Sequence, residues 1–424
     1  MSDTTWITSS IDGLRDDLHA LYRDLHAHPE LSFQEHRTSG LMADRLRAMG
    51  LEVTTGIGGT GVVGMLRNGE GPTVLLRADM DGLPVLEDTG LPFASTDRGT
   101  DPDGIDVPVM HACGHDVHMT SLIGAVAVLV AHRDTWSGTV MAVFQPAEEL
   151  GGGAERMVED GLFERLGRPD VSMAQHVFTQ RAGFVGAHPG PAFSASDVLR
   201  VTFHGRSAHG SRPENAIDPI VMAAATVMRL QTVVARDVAA TDTAVVTVGT
   251  LHAGTKANII PADASMTVNI RSYTPEVRER VLGSVRRIIA AEAQASGAVR
   301  PPTVTVGDVF PVLLNEDAAT TRVMDAFRSA LPEAHPDVQV TDPGPVMGSE
   351  DFGNLGMGSG IPATYWILGG TDPTLFDAAA AGGPDAPVVP SNHSPHFAPV
   401  LEPTLTLGVS ALVVATLAWL GRTH

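Results

Sequence analysis

The sequence predicts an α/β catalytic domain, a mixed sheet flanked by helices, with an inserted ferredoxin-like α+β satellite domain. Helix-like and strand-like apolar periodicities alternate through residues 1–190. A block in the order β-α-β-β-α-β fills residues 191–308, and α/β texture returns over residues 309–424. The chain's 424 residues exceed what one small core organises, and with 43% hydrophobic against 18% charged residues it can bury sizeable cores.

The elements follow in order. Leu14, Leu18, Leu21 and Leu25 recur at helical spacing, and a second helical pattern runs through Leu41 and Leu46 to a stop at Gly50. Two β-like runs, Val62 to Arg67 and Val74 to Arg77, flank the turn signal Asn68-Gly69-Glu70-Gly71, which predicts a hairpin or two adjacent strands. A helix over Met119 to His132 and strands over Thr139 to Phe144 and Val171 to Ala174 continue the alternation. Ligand sites in such sheets gather at the carboxyl ends of the strands. His188-Pro189-Gly190-Pro191 reads as a linker. Beyond it come an alternating strand with Leu199, Val201 and Phe203, and a helix opened by Asp218-Pro219. Strands over Val245 to Leu251 and Ala264 to Arg271, a helix opened by Thr274-Pro275 and a strand over Val304 to Val306 complete the block. Thr371 to Ser391 reads as a mobile loop. Leu405 to Leu420 is apolar but shorter than the ~20 residues a membrane span needs, and it reads as a buried helix.

Charge narrows the partners. Forty-nine acidic residues against 28 basic ones leave a net charge of −21, which repels phosphate backbones and anionic lipid, so neither nucleic acid nor a membrane surface is expected. The one cysteine, Cys113, rules out an intrachain disulfide and fits a reducing cytoplasm. No basic cluster precedes an apolar run in Met1 to Ser10, so no secretory signal is expected.

Metal-ligand residue types concentrate where strands end. In Arg77-Ala78-Asp79-Met80-Asp81 two carboxylates two apart in extended chain face the same way, as ligand support or as orienters of a histidine. His111-Ala112-Cys113-Gly114-His115-Asp116-Val117-His118 packs a thiol, three imidazoles and a carboxylate into eight residues, a donor set suited to zinc or a similar ion. Gln145-Pro146-Ala147-Glu148-Glu149 closes another strand. One of its two glutamates can bind metal while the other takes a proton from water. The glycines that follow lack the lysine and hydroxyl of a phosphate loop. His176 stands at a further strand end, and His393 follows the predicted loop.

Together these motifs resemble the M20 metallopeptidase family, most closely its amidohydrolase branch of N-acyl-amino-acid, hippurate and indoleacetyl-amino-acid hydrolases. The resemblance spans nearly the whole chain. It includes Leu25-His26-Ala27-His28-Pro29-Glu30-Leu31-Ser32, the motifs above, His209-Gly210-Ser211-Arg212-Pro213, Gly348-Ser349-Glu350-Asp351 and His393-Ser394-Pro395. It implies a site for two divalent ions, zinc, manganese, cobalt or nickel, held by Cys113, His115, Glu149, His176 and His393. Glu148 would be the general base, with Asp79 and Asp81 as supporting acids whose relative importance the sequence leaves open. His209 would reach the scissile carbonyl, in the site of a partner copy, so a homodimer through a satellite domain serving as lid and dimerisation unit is implied. Asn258 and Arg271 would bind the substrate's free carboxylate, a task suited to a planar guanidinium. The implied activity is hydrolysis of an N-acyl-L-amino acid to a carboxylic acid and an amino acid. A dipeptidase or carboxypeptidase sharing the site, and a non-catalytic metal-binding protein, are the alternatives.

Overall fold

A computed structural model describes residues 5–356 and 360–422. The chain divides into two bodies: Met1–Ala192 with Leu314–Gly344 and Asp351–His424, and Phe193–Leu313 with Pro345–Glu350.

The first body is built on an eight-stranded mixed sheet. Its strands lie in the order Glu52–Ile57, Gly61–Asn68, Gly138–Gln145, Thr73–Asp79, Val171–Arg181, Ala363–Thr371, Phe184–Gly186 and Gln339–Val340. Thr73–Asp79 runs parallel to both of its neighbours, Gly138–Gln145 and Val171–Arg181, so the carboxyl ends of these three strands lie together. In both Gly138–Gln145 and Ala363–Thr371 every residue is buried, as expected of strands covered on both faces. The helix Thr404–Leu420 packs against His115–Ala131 and Asp317–Ala334, with nearly all of its apolar residues inside. This is the buried helix expected at the end of the chain. Among the described residues no helix is long and apolar enough to cross a membrane.

Three local expectations are corrected. Gly61–Asn68 and Thr73–Asp79 are not neighbours, because Gly138–Gln145 lies between them. The turn at Asn68 to Gly71 does reverse the chain, but it wraps the start of that intervening strand: Thr139 N donates to Pro72 O at 2.9 Å. Strand pairing was decided by a segment some seventy residues away, which turn chemistry does not report. The hairpin partner of Gly61–Asn68 is instead Glu52–Ile57. The predicted loop after Thr371 contains a helix, Pro373–Ala381, capped by Asp372 Oδ1 accepting from Thr374 N and Leu375 N. Its Asp-Pro opening is the signal read correctly at Asp218-Pro219, here masked by small residues. The helix expected from Met119 starts at His115.

The second body carries a four-stranded antiparallel sheet, ordered Ala244–Ala253, Asp263–Ser272, Ala195–His204, Thr303–Phe310. Helices Pro219–Thr232 and Pro275–Ala295 connect its strands. Leu199, Val201 and Phe203 point from the sheet into one core with Met266, Val268 and Ile270 and with Met222, Val281 and Val285 of the helices. Both helices start where the sequence signals a start: Asp218 Oδ1 accepts from Ile220 N and Thr274 Oγ1 from Val277 N.

Candidate metal centre and active site

The site of the first body grows out of the carboxyl ends of its parallel strands. Asp79 ends one strand beside Gln145, the end of the next. The chain after Cys113 turns through Gly114 (φ 85°), where a Cβ would lie 2.3 Å from Val177 Cγ1. Only glycine lets the loop come so close to Val171–Arg181 and start the helix at His115. At the end of Gly138–Gln145 the chain folds back on itself, and a Cβ on Gly153 would stand 1.7 Å from Pro146 O. That tight return sets Glu148 and Glu149 in a single 3-10 turn.

Four contacts link the five expected ligands. Cys113 Sγ lies 3.4 Å from His176 Nε2 and 3.3 Å from His393 Nε2. Glu149 Oε1 lies 3.4 Å from His393 Nε2 and 3.9 Å from His115 Nε2. Two of the three imidazoles are held by their other nitrogen: His115 Nδ1 donates to Asp81 O at 2.8 Å and His176 Nδ1 to Val177 O at 2.9 Å. That leaves both Nε2 lone pairs turned inward. His393 takes a left-handed conformation (φ 69°), with its N–H on Ala112 O. Asn392 beside it donates to Cys113 O and Val177 O.

The donors fit divalent cations. His115 Nε2 and Glu149 Oε1 are buried without a hydrogen-bond partner, a costly arrangement unless something else occupies them. Burial, opposed by His115 and reinforced by Asp81, pushes Glu149 up to about 8. Burial together with Glu149 and Glu148 pushes the Cys113 thiol well above its ordinary range. Protein groups alone thus disfavour the two anionic forms that ligation requires, and a dication reverses that balance.

The two aspartates have separate tasks. Burial would raise Asp79, but Arg77, His115 and His118 hold it well below the usual carboxylate range. It accepts from Arg77 Nη1 and from His118 Nδ1, each at 2.6 Å. His118 Nε2 in turn accepts from Val177 N at 2.8 Å. With both nitrogens occupied, His118 orients the site rather than ligating, although it lies in a cluster with Asp79, His115 and His176. Asp81 accepts from Glu148 N through Oδ1 and from Glu149 N through Oδ2, each at 3.1 Å, and from Ser32 Oγ at 2.6 Å. It grips the backbone of the tandem glutamates while its own carbonyl holds His115. Glu148, 5% exposed, brings Oε2 to 3.9 Å from His115 Nε2.

Sequence reasoning did not assign His118 or the buried group behind it. His26 lies between Asp116 (2.7 Å) and Glu87 (3.0 Å). Burial would lower His26, but its two carboxylate bonds raise it to about 10, so it is an imidazolium. The helical spacing of His115 and His118 was the available signal for the first. The second joins positions 61 and 90 residues apart, which leaves no local trace.

His209, Asn258 and Arg271 belong to the second body. Exposed His209 pairs with Ile259 in a short ladder and accepts at Nδ1 from Ser211 N at 3.1 Å, with Ser211 Oγ at 2.8 Å. Gly210 N donates to Asn258 O, which brings these two loops together. Arg271 is half-buried and donates to Met347 O (2.6 Å), Ser349 Oγ (3.1 Å) and Asn269 Oδ1 (3.2 Å). Its recorded partners are neutral, which is not the surface ion pair a solvated arginine would form.

A buried thiol-imidazole-carboxylate pocket with a second carboxylate at its edge is the equipment of a metal-dependent hydrolase. The family model described as Peptidase family M20/M25/M40 matches residues 75–386, and the chain belongs to that family. The chain is 36% identical over 368 residues to thermostable carboxypeptidase 1 of Saccharolobus solfataricus, covering 86% of this chain and 88% of that one. It is 34% identical over 352 residues to N-acetyl-L-cysteine deacetylase of Bacillus subtilis, covering 81% and 78%. Among solved structures it is similar to the YXEP protein of Bacillus subtilis, described as a dinuclear metal binding peptidase of the M20 family. There the identity is 28%, the TM-score 0.72, and the match covers 96% and 99% of the two chains. The protein is a metal-dependent amidohydrolase of this family.

Proposed function

We propose that the enzyme hydrolyses N-acyl-L-amino acids at two divalent ions held by Cys113, His115, Glu149, His176 and His393. When bound, the ions supply the positive charge that polarises the amide carbonyl and makes water acidic. Glu148 takes the proton from the attacking water and passes it to the departing nitrogen. Asp79 and Asp81 keep His118 and the tandem glutamates in place. Arg271 and Asn258 receive the substrate carboxylate, and His209 the acyl carbonyl, in the site of a second copy, so that a homodimer forms through the ferredoxin-like second body. A thiolate ligand favours zinc, and the imidazoles and carboxylate also admit manganese, cobalt or nickel. A cytoplasmic setting suits a chain whose one cysteine serves as a ligand.

The observation that carries this reading is the pair of buried ligand atoms, His115 Nε2 and Glu149 Oε1, that make no hydrogen bond and lie beside Glu148. The deacetylase and hippurate hydrolase among the relatives, the latter from Campylobacter jejuni at 36% identity, support the acyl-amino-acid substrate. The carboxypeptidase relative supports a second reading that shares the free carboxylate and differs only on the acyl side. Rates with hippurate against simple dipeptides separate the two. Glu148→Gln tests the base: folding and bound metal are expected to persist while kcat falls about 10²–10⁴-fold. A fully metallated Gln variant with the original kcat overturns the assignment.

A further inference from the structure

Three consecutive amides lead out of the strand Gly138–Gln145 into the tandem glutamates, and each donates to a buried carboxylate. Glu148 N and Glu149 N go to Asp81. The first of the three, Ala147 N, goes at 2.9 Å to Oε1 of Glu35, a residue 112 positions earlier and fully buried. Glu35 is neither an expected ligand nor the base.

The same Oε1 accepts from Phe33 N at 2.9 Å, and Oε2 accepts from Thr60 Oγ1 at 2.5 Å. Both amides on Oε1 belong to non-glycine residues in the left-handed region, Phe33 at φ 61° and Ala147 at φ 49°. A residue with a Cβ adopts that conformation only where its surroundings impose it. At Ala147 the conformation has a direct consequence, because the next residue is Glu148. A return to an ordinary backbone region would rotate the peptide between them and swing the Glu148 side chain away from His115. The carbonyl side of Ala147 is already engaged, with Gly153 N donating to Ala147 O at 3.3 Å. Glu35 holds the amide side.

We propose that Glu35 is a positioning residue for Glu148: its Oε1 fixes Ala147 in the left-handed turn that aims the catalytic carboxylate into the metal site. The proposal rests on the reading of Glu148 as the base. What the position requires is an acceptor oxygen at the right reach. Charge is not the requirement, since the three groups bonded to Glu35 are two amides and a hydroxyl. Glutamine offers the same Oε1 and turns an amide toward Thr60, whose hydroxyl can accept. Aspartate keeps the charge but falls one methylene short. Methionine keeps the length and loses the acceptor.

The test uses the full-length, metal-loaded enzyme and the N-acyl amino acid it hydrolyses fastest, comparing Glu35→Gln, Glu35→Asp and Glu35→Met, with Glu148→Gln as a control. For the Asp and Met variants kcat is expected to fall about 10–100-fold, the usual loss when an orienting partner is removed, with KM and metal per chain unchanged. The Gln variant should recover most of the rate. Hydrogen exchange in the segment containing Ala147 should accelerate with Asp and Met and stay slow with Gln. If Met does not fold, the Asp variant decides. A Gln variant as slow as Met would show that charge rather than the acceptor matters, and would overturn the proposal. So would Asp or Met variants with lowered melting temperature but original kcat and unchanged exchange at Ala147. An active Glu148→Gln control would instead remove the base assignment, while exchange at Ala147 would still report separately whether Glu35 holds the turn.

Discussion

In the first body the residues proposed for chemistry hold one another and, exposed His393 apart, are buried or nearly so. His115, His118 and His176 each have one nitrogen fixed by a carbonyl or a carboxylate, and Asp79 and Asp81 are fully enclosed. In the second body His209 and Asn258 are exposed and Arg271 is half-buried on neutral partners. The difference matches two kinds of work. A metal centre must be preorganised before substrate arrives, so the side chains around it are fixed by internal hydrogen bonds while the ligating atoms stay available. Groups that recognise a substrate's charge must keep capacity for a bond not yet made.

The sharpest way to break this comparison is to remove the metal. Chelation is expected to abolish hydrolysis, a loss of more than about 10³-fold given the several kcal/mol that metal ions contribute. Readdition of a divalent ion should restore the activity. Thermal unfolding followed in the same samples should shift the transition of the first body and leave that of the second in place. Activity that survives thorough chelation would count against the whole hydrolytic reading, and equal shifts in both bodies would count against the separation drawn between them.

Next in size is Arg271→Met. On the proposed role, the variant removes a charge-assisted contact to the substrate carboxylate worth about 1.5–3 kcal/mol, so KM should rise about 10–100-fold, with kcat and metal content retained. Substrates in which that carboxylate is converted to an amide should lose the distinction between variant and original. A fall in kcat at constant KM would place Arg271 in the chemistry instead.

These two predictions bear on what the sequence discloses. The five proposed ligand positions lie in two short motifs and two isolated histidines, and the thiol-imidazole pair around Gly114 is visible because the donors crowd into eight residues. In the second body the legible signals were the helix openings Asp218-Pro219 and Thr274-Pro275 and the alternation of Ala195–His204 and Asp263–Ser272 over one sheet face. Illegible were the features decided at long range. The insertion of Gly138–Gln145 between two strands linked in sequence by a tight-turn signal is one. The division of labour between Asp79 and Asp81 is another, since both lie in one pentapeptide and differ only in which distant groups reach them. His26 in its pair of carboxylates is a third.

His26 gives the next prediction, now on stability. Its folded pKa is raised from 6.5 to about 10, so its contribution is fully present below pH 6.5 and is lost as pH rises through about 10. With metal saturating, so that His115 does not titrate, the original enzyme should lose stability over that window with a slope of up to about 1.4 kcal/mol per pH unit from this one proton. His26→Gln should be less stable at pH 6.5, and its unfolding free energy should change less between pH 6.5 and 10. Denaturant unfolding at several pH values measures both slopes. Parallel curves would mean that His26 is neutral in the folded enzyme, and the buried imidazolium would have to be given up.

The smallest effect belongs to the second body. Thr274 Oγ1 accepts from Val277 N at 3.3 Å and caps the helix Pro275–Ala295, whose Val281, Val285 and Ile288 fill the core beneath the sheet. Thr274→Ala leaves that amide without its side-chain partner and should lower the stability of this body by about 1 kcal/mol. Arg271 stands three residues before the cap, at the end of the same sheet. If the second body contributes recognition through a preformed strand end, a destabilisation of this size leaves the folded population nearly complete, and KM and kcat both stay in place. A KM that rises with Thr274→Ala would show that the strand end is held by the helix cap rather than by the sheet. The second body would then be as internally preorganised as the first, and the contrast between them would narrow to burial alone.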